Sequence, residues 1–171
     1  MIIRKILLLG EMAVGKTSIA HRLRFDTFKE SYKSTIGMDI HRYDVEPGPN
    51  GERFQFLICD TDGNFEDILF RDQHVRGAQA AIVVGDLTRR ETLVAQARLA
   101  VKFSDAKPGR YLAGVLNKND LKDEFPEDDD EYLPEGLRAP FFPLIRTSAK
   151  TGENVKRTFH DAAETIVRRR M

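Results

Sequence analysis

The chain has 171 residues, of which 41% are hydrophobic and 32% charged, and this balance is typical of one globular domain spanning residues 1–171. Lys and Arg together number 27, as do Asp and Glu, so no excess of basic charge is available to bind a nucleic-acid backbone. Its single cysteine, Cys59, excludes an intrachain disulfide, and the apolar run 6–9 is too short to span a bilayer. We therefore expect a cytoplasmic monomer with no nucleic-acid partner.

Short apolar runs alternate with longer amphipathic stretches along the chain, a pattern typical of α/β proteins. The apolar runs predict strands at residues 2–9, 53–59, 80–87, 111–116 and 141–145. Turn-rich residues 47–51 predict an antiparallel hairpin, which adds an edge strand, and helical spacing marks residues 16–24 and 155–167. The expected fold is a three-layer α/β domain whose central, mostly parallel six-stranded sheet has one antiparallel edge strand and helices on both faces.

Residues 125–143 form the least regular part of the pattern. Pro126, Pro134, Gly136 and Pro140 interrupt helical spacing there. This segment therefore predicts a short helix and a long loop, and its acidic residues 127–131 are expected in a solvated loop or helix start.

Residues 10–17 (GEMAVGKT) match the G-x-x-x-x-G-K-[ST] pattern between a predicted strand and a predicted helix. Glycines let backbone N–H groups wrap a phosphate, and the helix N-terminus adds positive potential. Lys16 then neutralises the outer phosphates, and the Thr17 hydroxyl coordinates Mg²⁺. The motif predicts a nucleotide site built from Glu11, Ala13, Val14, Gly15, Lys16, Thr17 and Ser18.

An acidic residue ends the next predicted strand, where a nucleotide in such a loop needs a second anchor for Mg²⁺. This residue is Asp60, and Gly63 three positions later completes a D-x-x-G pattern. The pattern alone also fits an aspartate in an ordinary turn. Its spacing after the phosphate loop favours a metal ligand.

Residues 117–120 (NKND) follow the predicted strand 111–116 and match N-K-x-D. Guanine presents a ring N–H beside an exocyclic amine, and the carboxylate of Asp120 can accept both, a pair that adenine lacks. Residues 147–150 (TSAK) also follow a strand, so the Ala149 N–H is expected to donate to the guanine carbonyl oxygen. The base-side residues predicted from these loops are Asn117, Lys118, Asp120, Ser148, Ala149 and Lys150.

Together with Phe28, Tyr32, residues 34–37 (STIG) and residues 76–78 (RGA), these motifs resemble the Ras superfamily of small GTPases, most closely its Rab branch, over residues 3–168. The resemblance implies a P-loop NTPase G domain that binds GTP or GDP with Mg²⁺. It places Phe28 edge-on to guanine, Tyr32 against the nucleotide, and Thr35 on the metal when the γ-phosphate is present. It assigns hydrolysis to Lys16, Thr35, Gly63 and Asn64.

The resemblance also implies a switch cycle, in which the γ-phosphate and Mg²⁺ order two loops that hydrolysis releases. Effector, exchange-factor and GTPase-activating proteins would contact these loops through residues of about 29–43 and 62–76. No lipid anchor is expected, because residues 168–171 (RRRM) carry no cysteine and residue 2 is isoleucine.

Residues 60–64 (DTDGN) depart from the family pattern D-x-A-G-Q. The family glutamine orients the attacking water, and Asn64 carries the same amide on a shorter side chain, so slow hydrolysis is expected. Asp62 would either repel the γ-phosphate or help position water or metal. Met12 would either obstruct a partner's arginine or project harmlessly outward.

Three functions are compared with these residues. A slowly hydrolysing GTP/GDP switch accounts for all of the motifs. A non-hydrolysing, GTP-dependent interaction module is motivated by Asp62 and Asn64. A P-loop ATPase or kinase would leave residues 117–120 without a role.

Overall fold

The computed structural model of the chain describes residues 1–29, 37–46, 48–62, 75–125 and 129–171. Within these residues the strands are β1 (Ile2–Leu9), β2 (Met38–Val45), β3 (Phe54–Thr61), β4 (Ala78–Asp86), β5 (Tyr111–Asn117) and β6 (Leu144–Arg146). The helices are α1 (Lys16–Phe25), α2 (Arg90–Ala106), α3 (Asp129–Tyr132), α4 (Glu135–Arg138) and α5 (Val155–Arg168), with short 3₁₀ turns at Pro49–Gly51 and Asn119–Glu124. None of the helices described is both long and apolar enough to cross a bilayer.

The strands form one sheet in the order β2-β3-β1-β4-β5-β6. Every neighbouring pair is parallel except β2 and β3, which run antiparallel from Met38 opposite Thr61 to Val45 opposite Phe54. The mostly parallel six-stranded sheet and its antiparallel edge strand are thus confirmed. Because parallel strands end at the same edge, the segments after β1, β3, β5 and β6 meet there.

Helices cover both faces of the sheet, and each face has its own hydrophobic core. Alternation along β1 sends Ile6 and Leu8 into one core and Leu7 and Leu9 into the other. The first core also contains residues of α1 and α5, including Phe159, and the second contains residues of α2 and α4, including Phe103. Burial on both faces explains why the central strands read as continuous apolar runs.

The predicted last strand, residues 141–145, is displaced in the structure to Leu144–Arg146. Pro143 has no N–H to donate to a sheet ladder, and only its carbonyl is used, accepting a hydrogen bond from the Gly114 N–H at 2.8 Å. The apolar side chain of Phe142 instead packs into the second core. A short helix and a long loop were expected in this segment, and its described residues contain two helices of four residues each, α3 and α4.

Replacing Phe159 with alanine should lower the free energy of unfolding by about 3–5 kcal/mol, because a large cavity would remain in the first core. Phe159 is 1% exposed and meets Phe56 and Tyr43 edge to face, at 6.0 Å between ring centroids in each case. The matched control is Phe141→Ala, since Phe141 is 65% exposed and its loss should cost less than about 1 kcal/mol. Urea unfolding measures both variants. Equal losses in the free energy of unfolding would contradict the placement of Phe159 in the first core.

Candidate functional site

The loop between β1 and α1 depends on two glycines. Gly10 has φ 146° and Gly15, the N-cap of α1, has φ 104°, so both lie where a side chain is strained. A Cβ at Gly10 would also overlap the carbonyl oxygen of Val84, and one at Gly15 would overlap the Asn117 amide. The two motif glycines are therefore required by the packing of this loop against β4 and β5.

Lys16 lies beneath this loop and is only 6% exposed. Its Nζ donates hydrogen bonds of 2.8 Å to the carbonyl oxygens of Gly10 and Glu11. Burial lowers the pKa of Lys16 to about 8, although Asp60, Asp62 and Glu11 favour its charged form. A buried ammonium with this shift fits an anionic ligand such as a phosphate, whose charge would offset its desolvation.

Thr17 and Asp60 bring a hydroxyl and a carboxylate together beside Lys16. The Thr17 hydroxyl donates to Asp60 Oδ2 at 2.6 Å, while Asp60 Oδ1 is buried with no hydrogen-bond partner within the described ranges. Burial raises the pKa of Asp60, and the Thr17 hydrogen bond and Lys16 oppose that rise. A buried carboxylate oxygen without a partner, next to a hydroxyl, fits the oxygen ligands that Mg²⁺ prefers.

The side chain of Asn117, at the end of β5, joins three loops. Its Nδ2 donates to the Val14 carbonyl at 2.9 Å, and its Oδ1 accepts from the Ala149 N–H at 3.1 Å and the Thr147 hydroxyl at 3.3 Å. Asn117 is 2% exposed. It thereby fixes the phosphate-binding loop against both base-side loops, a role that the N-K-x-D pattern alone does not reveal.

Asp120 and Ser148 form a direct contact between the two base-side loops. The Ser148 hydroxyl donates to Asp120 Oδ1 at 2.5 Å, which orients the carboxylate predicted to bind guanine. The Ala149 N–H was predicted to donate to the guanine carbonyl oxygen, but here it donates to Asn117. Its use by the base would require this donor to be shared, because a backbone amide carries one proton.

Asp86 is a supporting residue that motif analysis missed. It ends β4 and is fully buried, and Lys118 Nζ lies 2.6 Å from its Oδ2. Arg89 Nε donates to the same oxygen at 3.0 Å, and Arg89 Nη2 reaches the Met12 carbonyl at 2.8 Å. Burial opposes ionisation of Asp86, but hydrogen bonds from Lys118, Thr88 and Arg89 outweigh it and lower the pKa.

The position of Asp86 in the sequence nevertheless indicates that it belongs to the site. Like Asp60, it is an acidic residue at the carboxyl end of a buried strand, where parallel sheets gather polar groups. Its contacts link the Lys118 side chain to the phosphate-binding loop. Lys118 was predicted to be a base-side residue, and in the structure its ammonium is held by Asp86.

The other predicted site residues differ in their exposure to solvent. Val14 is buried, Glu11 and Ser18 are half-buried, and Met12, Ala13, Phe28 and Lys150 are exposed. The exposure of Met12 is compatible with both of the expectations stated for it. Four predicted residues lie outside the described ranges, namely Tyr32, Thr35, Gly63 and Asn64.

Comparison with known proteins identifies both a family and a curated relative of this chain. The model of the Ras family matches residues 5–168. The GTP-binding protein YPT53 of Saccharomyces cerevisiae is 34% identical over 173 residues, which cover 95% of this chain and 76% of the yeast protein. The family match extends across the phosphate-binding loop, Asp60 and both base-side loops.

Replacing Asn117 with alanine should lower the free energy of unfolding by about 2–4 kcal/mol, because buried groups of Val14 and Ala149 would lose their partner. Asn119→Ala is the matched control, two residues away. The Asn119 amide donates to the exposed Glu153 carboxylate at 3.1 and 3.3 Å, so its loss should cost less than about 1 kcal/mol. Urea unfolding measures the free energy of unfolding of both variants. If Asn117→Ala loses no more of it than Asn119→Ala does, Asn117 does not bridge the loops.

Proposed function

Because this chain belongs to the Ras family of small GTPases, we propose that residues 1–171 form one G domain acting as a GTP/GDP switch that hydrolyses bound GTP slowly. One observation carries the proposal. Four chemically distinct groups lie at one edge of the sheet: Lys16, the Thr17–Asp60 pair, Asn117 and Asp120. A phosphate, a cation and a guanine ring each have a matching group there.

Nucleotide specificity is attributed to Asp120. A carboxylate oriented by Ser148 can accept from the adjacent ring N–H and amine of guanine, a pair that adenine does not offer. Lys118, restrained by Asp86, would line the base with its aliphatic stem. Phe28, Tyr32 and Lys150 complete the proposed base and nucleotide contacts.

In hydrolysis, Lys16 would stabilise the charge that develops on the γ-phosphate oxygens. Thr17, Asp60 and Thr35 would hold Mg²⁺, which when bound neutralises phosphate charge and polarises the bond to be cleaved. Gly63 and Asn64 would contact the γ-phosphate and the attacking water. The shorter Asn64 side chain would bring its amide less close to that water than a glutamine would, which is the proposed cause of slow turnover.

Asp62 adds negative charge on the same side of the site. The Asp62 carboxylate favours the charged form of the Lys16 ammonium. The Asp62 backbone N–H donates at 2.9 Å to the carbonyl of Gly37, a residue within the first proposed switch. A carboxylate at this position favours a second candidate, a GTP-dependent interaction module that does not hydrolyse its nucleotide.

The partners proposed for either function are effector, exchange-factor and GTPase-activating proteins. They would bind through residues of about 29–43 and 62–76, whose arrangement would change with the γ-phosphate. The protein would act in the cytoplasm as a monomer. Both functions share the nucleotide site and differ in whether the bound GTP is cleaved.

Nucleotide released by denaturing the purified protein should be GDP or GTP, and Asp120→Ala should lose the preference for guanine over adenine nucleotides by about 100-fold or more. Competition binding with GDP and ADP measures this preference. Asp123→Ala is the control, because Asp123 is an exposed carboxylate in the same 3₁₀ turn. Adenine nucleotide in the purified protein, or a preference retained by Asp120→Ala, would contradict the assignment.

Asn64→Gln should raise the single-turnover rate of GTP cleavage by about 10- to 100-fold, because the longer side chain restores the reach of the amide to the water. The control is Asn64→Ala, which removes the amide and should give no increase. Release of inorganic phosphate from GTP-loaded protein measures the rate. Undetectable cleavage in both the unsubstituted protein and Asn64→Gln would favour the non-hydrolysing module.

A further inference from the structure

Arg22 makes an unusual set of contacts near the base-side loops. It lies in the last turn of α1, and its side chain is only 11% exposed. Its Nε donates to the Ala149 carbonyl at 2.9 Å, its Nη2 donates to the Lys150 carbonyl, and its Nη1 donates to the Asp26 carbonyl at 2.6 Å. One guanidinium therefore binds three backbone carbonyls on two separate segments.

These carbonyls belong to two segments that also carry residues of the proposed guanine site. Ala149 and Lys150 directly follow Ser148, whose hydroxyl orients the Asp120 carboxylate. Asp26 is two residues before Phe28, the residue proposed to lie against the base edge. The Asp26 carboxylate is also 3.0 Å from Lys156 Nζ, which ties the same segment to α5.

The planar, forked guanidinium of Arg22 is well shaped to donate to several carbonyls at once. Its N–H groups point in fixed directions within one plane, so a single side chain satisfies acceptors on two segments at once. Its stem passes over Gly152, where an added Cβ would lie 3.6 Å from Arg22 Cδ. A lysine at this position has one nitrogen and cannot reproduce the three-way contact.

We propose that Arg22 is a positioning residue for guanine recognition: by holding the carbonyls of Ala149, Lys150 and Asp26, it keeps Ser148 and Asp120 in register with the base. Arg22 does not touch the nucleotide in this proposal. It acts on the Ser148–Asp120 pair, and the inference rests on the proposed guanine-nucleotide function.

The test compares Arg22→Gln and Arg22→Lys with the unsubstituted protein. Arg24→Gln is the matched control, since Arg24 lies in the same helix and is exposed. Its Cζ lies over the ring of the neighbouring Phe25, 4.9 Å from the ring centroid. Stopped-flow release of fluorescently labelled GDP and labelled IDP is measured for each. IDP lacks the exocyclic amine that Asp120 is proposed to bind, so the ratio of the two release rates reports on that contact.

In both Arg22 variants, GDP release should accelerate by about tenfold and the preference for GDP over IDP should fall several-fold, because Asp120 is no longer held in place. Arg24→Gln should leave both values unchanged. Arg22 variants that release both nucleotides faster by the same factor would show a merely structural role and overturn the inference, as would unchanged release. Failure of the unsubstituted protein to prefer guanine would instead refute the proposed function.

Discussion

The buried amide of Asn117 is the interaction on which the arrangement of the site depends. It joins the carbonyl of Val14 in the phosphate-binding loop to the Ala149 N–H in the last base-side loop. Gly15 permits this contact, because a Cβ there would overlap the Asn117 amide nitrogen. The glycine of one motif and the asparagine of another are therefore parts of one packing constraint.

Buried charges near this amide fall into two groups. The pKa of Lys16 and that of Asp60 are both shifted against the charged form, chiefly by burial, so neither charge is fully compensated by the protein. The pKa of Asp86 is lowered because its protein donors outweigh burial. Asp86 thus serves the protein's own architecture, whereas Lys16 and Asp60 are suited to an anion and a cation from outside.

Prediction from the sequence succeeded where local pattern and burial agree. Strand β1, the hairpin of β2 and β3, and the break in helical structure before β6 were all readable, because apolar runs, turn residues and prolines act over short distances. The start of β6 was missed because its apolar residues 141 and 142 resemble strand residues. Pro143 lacks the N–H that a ladder needs, and Phe142 packs into the second core while Phe141 stays exposed.

By itself the sequence determined which chemical groups are present and which strand or helix carries each one: the phosphate loop, Asp60, and the two base-side loops. Only the tertiary structure decided how they are held. Arg22 and the Ala149 carbonyl are 127 residues apart in the chain, and Lys118 and Asp86 belong to different strand ends. Such contacts carry no local signal, because they depend on side-chain direction after parallel strands have brought distant loops to the same edge of the sheet.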